Sequence, residues 1–226
     1  MKILLSALLT IAVTARADIA VNSLVGTPNN ASSLGEFTPF TTDGNIWQLD
    51  LVTINVFSFE GEAATINLSL YADNSGRPGG FFADAGSQNL SELSIETPYL
   101  GVDTLFTPPA AVILQPNTTY WISGTASGPG PDLGWNSVAD DSVTTLPGWS
   151  LGETEFLYNG VWNSIGGGNE TYKLSLQVEA VPEPCVFALL GLAFFLACFF
   201  RMKLIVASEK AAPANPIPLA ATRFRQ

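Results

Sequence analysis

The cleanest alternation in the chain runs from Thr65 to Tyr71, with Ile66, Leu68 and Leu70 on one face and Thr65, Asn67, Ser69 and Tyr71 on the other. That period of two belongs to a half-buried β-strand. A second alternation sets Tyr172, Leu174, Leu176 and Val178 against Thr171, Lys173, Ser175 and Gln177. From Asn45 to Phe59 apolar residues occupy both faces, Trp47, Leu49 and Leu51 on one and Ile46, Val52, Ile54 and Val56 on the other. Such a strand is either covered on both sides or changes register partway. Shorter strands are expected at Val21–Val25, Leu90–Tyr99, Ala111–Leu114, Thr119–Gly124 and Gly134–Val138. Glu155–Tyr158 and Val161–Ser164 flank Asn159-Gly160, the two-residue loop of a type I′ hairpin. Gly26–Gly35 and Gly124–Leu133 read as loops, and Ala72–Gly80 as a dense turn. No helical period is sustained in this region, so the pattern predicts an all-β domain over 18–180, an antiparallel β-sandwich of jelly-roll type.

Two continuous apolar runs flank that domain. Lys2, the run Ile3–Val13, and Ala15-Arg16-Ala17 before Asp18 have the layout of a secretory signal helix, residues 1–17, with cleavage after Ala17. At the other end Val181-Pro182-Glu183-Pro184 precedes an unbroken run from Cys185 to Phe200, then Arg201 and Lys203. Two prolines interrupt helix and ladder alike, so the motif separates the β domain from a hydrophobic helix. Residues 185–200 span about 24 Å as a helix, against roughly 30 Å of bilayer hydrocarbon. Recruiting Leu204–Ala207 while Arg201 and Lys203 snorkel closes the gap. So short a span suits a processing signal better than a permanent anchor, the competing reading being a core helix or a plain anchor.

The succession of Val181-Pro182-Glu183-Pro184, a short apolar segment and the basic flank Arg201 and Lys203 resembles the PEP-CTERM sorting signal of exported bacterial proteins. The resemblance covers residues 181–203. It implies that exosortase, a membrane-embedded sorting protease, recognises the signal and removes it, passing the ectodomain from the inner membrane to the cell envelope or extracellular matrix. The chain departs from the family in having two basic residues rather than a dense cluster, followed by a tail, 204–226, expected to be disordered. A second resemblance, to the bacterial surface modules called choice-of-anchor domains, rests on Leu70-Tyr71-Ala72-Asp73-Asn74-Ser75-Gly76-Arg77-Pro78-Gly79 and Leu114-Gln115-Pro116-Asn117-Thr118-Thr119-Tyr120-Trp121. It implies a small β domain and brings no reaction with it.

Charge and composition narrow the function further. Residues 18–180 hold 18 Asp and Glu against Arg77 and Lys173, a net charge of −16. Such a surface repels phosphate backbones, so no nucleic-acid partner is expected. Both cysteines, Cys185 and Cys198, fall in the apolar run, so no disulfide staples the β domain. The chain contains no His. This removes Ser-His-Asp and Cys-His catalysis and the His-bearing zinc sites, and leaves only carboxylate or oxygen-ligand chemistry.

Four candidate features remain. Asp73-Asn74-Ser75-Gly76 offers oxygens to Ca²⁺ but lacks EF-hand spacing and reads first as a turn. Asp140-Asp141 and Glu153 with Glu155 are paired acids that would need to face across a groove to act on a glycoside. Trp121, Trp135, Trp149, Tyr158 and Trp162 supply either core or a sugar-stacking surface, with Trp121 assigned to the core and Trp149 and Trp162 kept as possible ligand-binding residues. Asn-x-Ser/Thr at Asn30, Asn67, Asn89, Asn117 and Asn169 is expected by chance in a polar β protein. The expectation is therefore an exported, non-enzymatic surface or matrix protein with a structural or adhesive role and no catalytic residue, metal or cofactor. The alternative is a carbohydrate-binding module of the extracellular polysaccharide matrix, with a carboxylate glycosidase as the third class.

Overall fold

The computed structural model describes residues 16–25, 30–58, 64–90, 101–128, 133–139, 143–165 and 172–182. Outside them lie the apolar N-terminal run and Ala15, Asp140 and Asp141, and most of the strand expected at Leu90–Tyr99. Glu183, Pro184, the run 185–200, Arg201, Lys203 and the tail 204–226 lie outside them too. Among the described residues every regular element is a β-strand and every ladder is antiparallel. The all-β expectation holds there.

The first sheet is organised around β4 (Trp47–Ser58). One edge of β4 pairs with β16 (Leu176–Pro182) and then β10 (Leu133–Ala139). Its other edge pairs with β8 (Val112–Leu114) and then β7 (Val102–Phe106). Outward from β16 lie β1 (Asp18–Asn22) and β11 (Thr144–Thr145), while β2 (Asn30–Ser33) and β15 (Tyr172–Leu174) pair with β10. The second sheet has the order β12 (Ser150–Leu151), β3 (Thr38–Thr41), β9 (Thr119–Ser127), β5 (Ala64–Asp73) and β6 (Pro78–Leu90). A separate hairpin joins β13 (Glu155–Tyr158) to β14 (Val161–Ser164). Both sheets feed one hydrophobic core: Phe40, Ile66, Leu68, Leu70 and Ile122 from the second meet Val52, Ile54, Trp135, Leu176 and Val178 from the first.

β4 carries apolar residues at both parities because its register changes partway. Leu51 stands opposite Glu179 but Leu49 stands opposite Ala180, so Asp50 is an extra residue on β4. A bulge of this kind flips the side-chain phase. Trp47 and Leu49 before it and Val52, Ile54 and Val56 after it therefore reach the same core. Asp50 itself is exposed.

Six strands lie where the sequence pattern predicts loops or nothing regular: β2, β3, β6, β7, β11 and β12. β6 contains Pro78, Gly79, Gly80 and Gly86, residues poor in strand preference, and its ladder with β5 is irregular at three places. Pairing with β5 overrides that local weakness. The loop expected from Gly124 is also shorter, because β9 continues to Ser127.

The end of the domain requires a correction. The expected boundary at 180 falls inside β16, which continues through Val181 and Pro182 opposite Gln48 and Trp47. Proline is tolerated at this position because it is the last residue of the ladder, where its missing N–H costs least. Asp18, the expected first residue after signal cleavage, stands opposite Ala180 on the neighbouring β1.

Candidate surface site on the second sheet

Strand parity places an aromatic row on the outer face of the second sheet. In β5 the even-numbered Ile66, Leu68 and Leu70 are fully buried, so Tyr71 points to the other side, as the alternation predicts. Tyr71 stands opposite Phe81 of β6 on one edge and Trp121 of β9 on the other, and Trp121 stands opposite Pro39 of β3. Phe37, just before β3, packs edge-on against Tyr71 with ring centroids 5.2 Å apart, and against Trp162 of β14 at 5.5 Å. Tyr71 and Phe81 meet edge-on at 6.2 Å. Trp162, Phe37, Tyr71 and Phe81 thus form a continuous file in which each ring stands nearly perpendicular to the next. Phe81 is 64% exposed and the other three are half-buried.

A tight turn fixes one end of this file. Ser75 and Gly76 both have positive φ, 59° and 80°, and Asn74 N–H donates to the Arg77 carbonyl at 2.8 Å. These are the features of a two-residue type I′ loop. Asp73 Oδ2 accepts the Gly76 N–H at 3.1 Å, and Oδ1 accepts the Trp121 indole N–H at 2.8 Å. Trp121 is buried as expected, yet Tyr120 and Ile122, not Trp121, belong to the shared core. Both carboxylate oxygens of Asp73 are therefore engaged within the protein. Among the described residues no group of three or more His, Cys, Asp or Glu is placed to hold a metal ion.

The hairpin borders the other end. Asn159 and Gly160 have φ of 51° and 77° between Tyr158 and Val161, the loop geometry the Asn-Gly pair predicts. Phe37 bridges Glu155 by reciprocal backbone hydrogen bonds of 2.8 Å. The Glu155 carboxylate faces the Arg77 guanidinium at 3.6 Å. Leu157, Tyr158 and Val161 are all exposed, so the hairpin tip is apolar and open to solvent. Glu153 is exposed and Glu155 is ion-paired with Arg77.

Of the two tryptophans kept as possible ligand-binding residues, only Trp162 lies at the surface. Trp149 is 4% exposed and belongs to the core, stacked on Phe40 at 6.1 Å and edge-on to Trp47 at 5.5 Å. It cannot stack on a sugar without unpacking that core. Trp149 sits in a second file, the inner one, in which Phe82 meets Tyr120 at 5.0 Å and Tyr120 meets Phe40 at 5.8 Å. Trp135 is fully buried and donates its indole N–H to the Ser175 carbonyl at 3.0 Å.

Two ionisable groups brace the inner file. Burial pushes the Tyr120 phenol above its usual range, opposed by the Gln115 N–H that donates to its oxygen at 2.8 Å. Burial also pushes the Asp43 carboxyl upward, but the Trp47 indole at 2.7 Å and the backbone and side-chain amides of Asn45 outweigh it. They hold Asp43 below the ordinary value of 3.8.

Phe37 and Phe81 escaped the sequence reading because they lie just beyond the segments to which it assigned a pattern, and Arg77 entered it only as a turn residue and one of two basic residues. Tyr71, at an outward position of a clear strand, and Trp162, kept as a ligand-binding candidate, carried a visible signal. No protein-family model matches this chain, and no curated protein matches it.

Proposed function

We propose that the chain is an exported, non-enzymatic surface or matrix protein, a β-sandwich of jelly-roll type delivered by an exosortase-type sorting protease through its C-terminal signal. One observation carries this reading: Val181-Pro182-Glu183-Pro184 stands directly before a charge-free apolar run ending at Arg201 and Lys203, and the last described strand reaches Pro182 of that motif. The division of the chain between Glu183 and Pro184 agrees with a boundary there. A single core drawn from both sheets supports the sandwich. A domain with 18 acids against two basic residues suits a structural or adhesive task. Mass spectrometry of the protein isolated from its native host tests the delivery. A mature C-terminus near residue 184 is expected, and an intact Gln226 overturns the sorting reading.

The outer aromatic file favours a second reading, a carbohydrate-binding module of the extracellular polysaccharide matrix. Trp162, Phe37, Tyr71 and Phe81 present apolar ring surface beside the Arg77–Glu155 pair, an arrangement suited to a sugar ring with its hydroxyls. The detergent-purified full chain is expected to bind neutral glycans on an array and to lose them on Trp162→Ala or Phe81→Ala. No binding by the wild type rejects this reading.

A further inference from the structure

We infer that Asn159-Gly160 is a site of spontaneous chemical modification, where the asparagine side chain closes on the backbone, loses ammonia and leaves an aspartate or isoaspartate that unties the β13–β14 hairpin. The site depends on neither the sorting reading nor the sugar-binding one.

This is the single Asn-Gly pair in the chain, and every other asparagine is followed by a residue with a side chain. With no Cβ on Gly160, nothing on that residue screens its backbone nitrogen from the Asn159 side-chain carbonyl carbon. Both residues are exposed, and nothing lies within 4 Å of where a Gly160 Cβ would stand, so the loop is open to water. The turn itself does not require an asparagine. Ser75 and Gly76 build the same kind of loop with φ of 59° and 80°, against 51° and 77° at Asn159 and Gly160. Asp43-Gly44 shares the glycine but not the chemistry: the Asp43 carboxylate is charged, and its oxygens are held by Trp47 and Asn45. Freedom to move is also concentrated at Asn159. Apart from the Phe37–Glu155 bridge, β13 and β14 pair among the described residues with each other alone, and a two-stranded ribbon is marginal by itself. Its ties to the second sheet are the Phe37–Glu155 bridge, the Arg77–Glu155 ion pair and the Trp162–Phe37 contact, whereas Leu157, Tyr158 and Val161 at the tip are exposed. The tip therefore opens more readily than the sheets and lets Asn159 leave its left-handed backbone for the conformation that ring closure needs.

In the first step the Gly160 nitrogen gives its proton to water or hydroxide and attacks Asn159 Cγ. The N–Cγ bond forms, the bond from Cγ to the side-chain nitrogen breaks, and ammonia departs with a proton taken back from water. Water then opens the cyclic imide, adding hydroxyl to one of its two carbonyl carbons and a proton to the ring nitrogen. Opening at Cγ leaves aspartate; opening at the backbone carbonyl leaves isoaspartate, whose main chain runs through the side chain and is longer by a methylene. A two-residue loop holds Tyr158 opposite Val161 only at its normal length. Isoaspartate thus breaks that pairing from the tip and loosens Trp162, opposite Leu157, from its contact with Phe37.

Peptide mapping by mass spectrometry of the full chain, fresh and after incubation in mildly alkaline buffer, reads the conversion, and labelling with an isoaspartyl methyltransferase separates isoaspartate from aspartate. Asn159 is expected to convert before every other asparagine. Hydrogen exchange across Glu155–Ser164 is expected to be faster in aged than in fresh wild type. Asn159→Ser, which copies the Ser75-Gly76 loop, is expected to lose both the conversion and the effect of ageing. Should that variant fail to fold, the wild-type map and exchange still decide. An unconverted Asn159, or another asparagine converting first, overturns the site. Conversion to isoaspartate that leaves exchange across the hairpin unchanged overturns the untying.

Discussion

Asp73 at the end of one strand accepts the indole N–H of Trp121, 48 residues further on, at 2.8 Å, and its other oxygen accepts the Gly76 N–H. One carboxylate thus closes a hairpin turn and fixes a buried tryptophan on the neighbouring strand. The turn after β5 and the strand β9 are joined physically at this residue. Asp73→Ala orphans an indole N–H on a residue that is 3% exposed, and a buried donor without a partner costs about 1–3 kcal/mol. Chemical denaturation should show that loss, and Asp73→Asn, which keeps an acceptor oxygen, should lose less.

Asp43 makes stability depend on acid. Its native carboxyl is held below the ordinary 3.8, so the unfolded chain takes up this proton first as pH falls. The stabilisation is complete above the ordinary value and is lost as pH drops through the lower native one. Unfolding midpoints of wild type and Asp43→Asn should differ by a constant amount above about pH 5 and converge at lower pH. A gap independent of pH down to acid unfolding rejects this role.

The two tryptophans should separate cleanly on mutation. Trp149→Ala removes a core ring stacked on Phe40 and edge-on to Trp47 and should cost about 3–5 kcal/mol. Trp162→Ala trims a half-buried surface ring and should cost about 1 kcal/mol. Thermal unfolding of the two variants side by side measures the contrast.

Gly160 has φ of 77° in the hairpin loop. Nothing crowds a Cβ there, so backbone conformation alone opposes a side chain. Gly160→Ala should weaken the β13–β14 hairpin by about 1–2 kcal/mol. Hydrogen exchange should report faster opening of Glu155–Ser164 while the two large sheets keep their protection.

What was legible along the chain is whatever sterics and short-range pairing decide. Alternation at Thr65–Tyr71 set the inward face of β5, and Asn159-Gly160 set its hairpin because few residues accept positive φ. The mixed apolar parity of Asn45–Phe59 left two alternatives, cover on both faces or a register change, and the bulged residue, Asp50, that decides between them shows only against β16. Long-range pairing settled the remainder. Trp149 and Trp162 look alike in sequence, yet one closes on Phe40 inside the sheets and the other on Phe37 outside, because chain segments far away supply their neighbours. β6 is a strand only because β5 offers it a ladder, and Val181-Pro182 is folded only because β4 lies alongside. Burial and register are properties of partners, and a residue does not carry its partner in its own name.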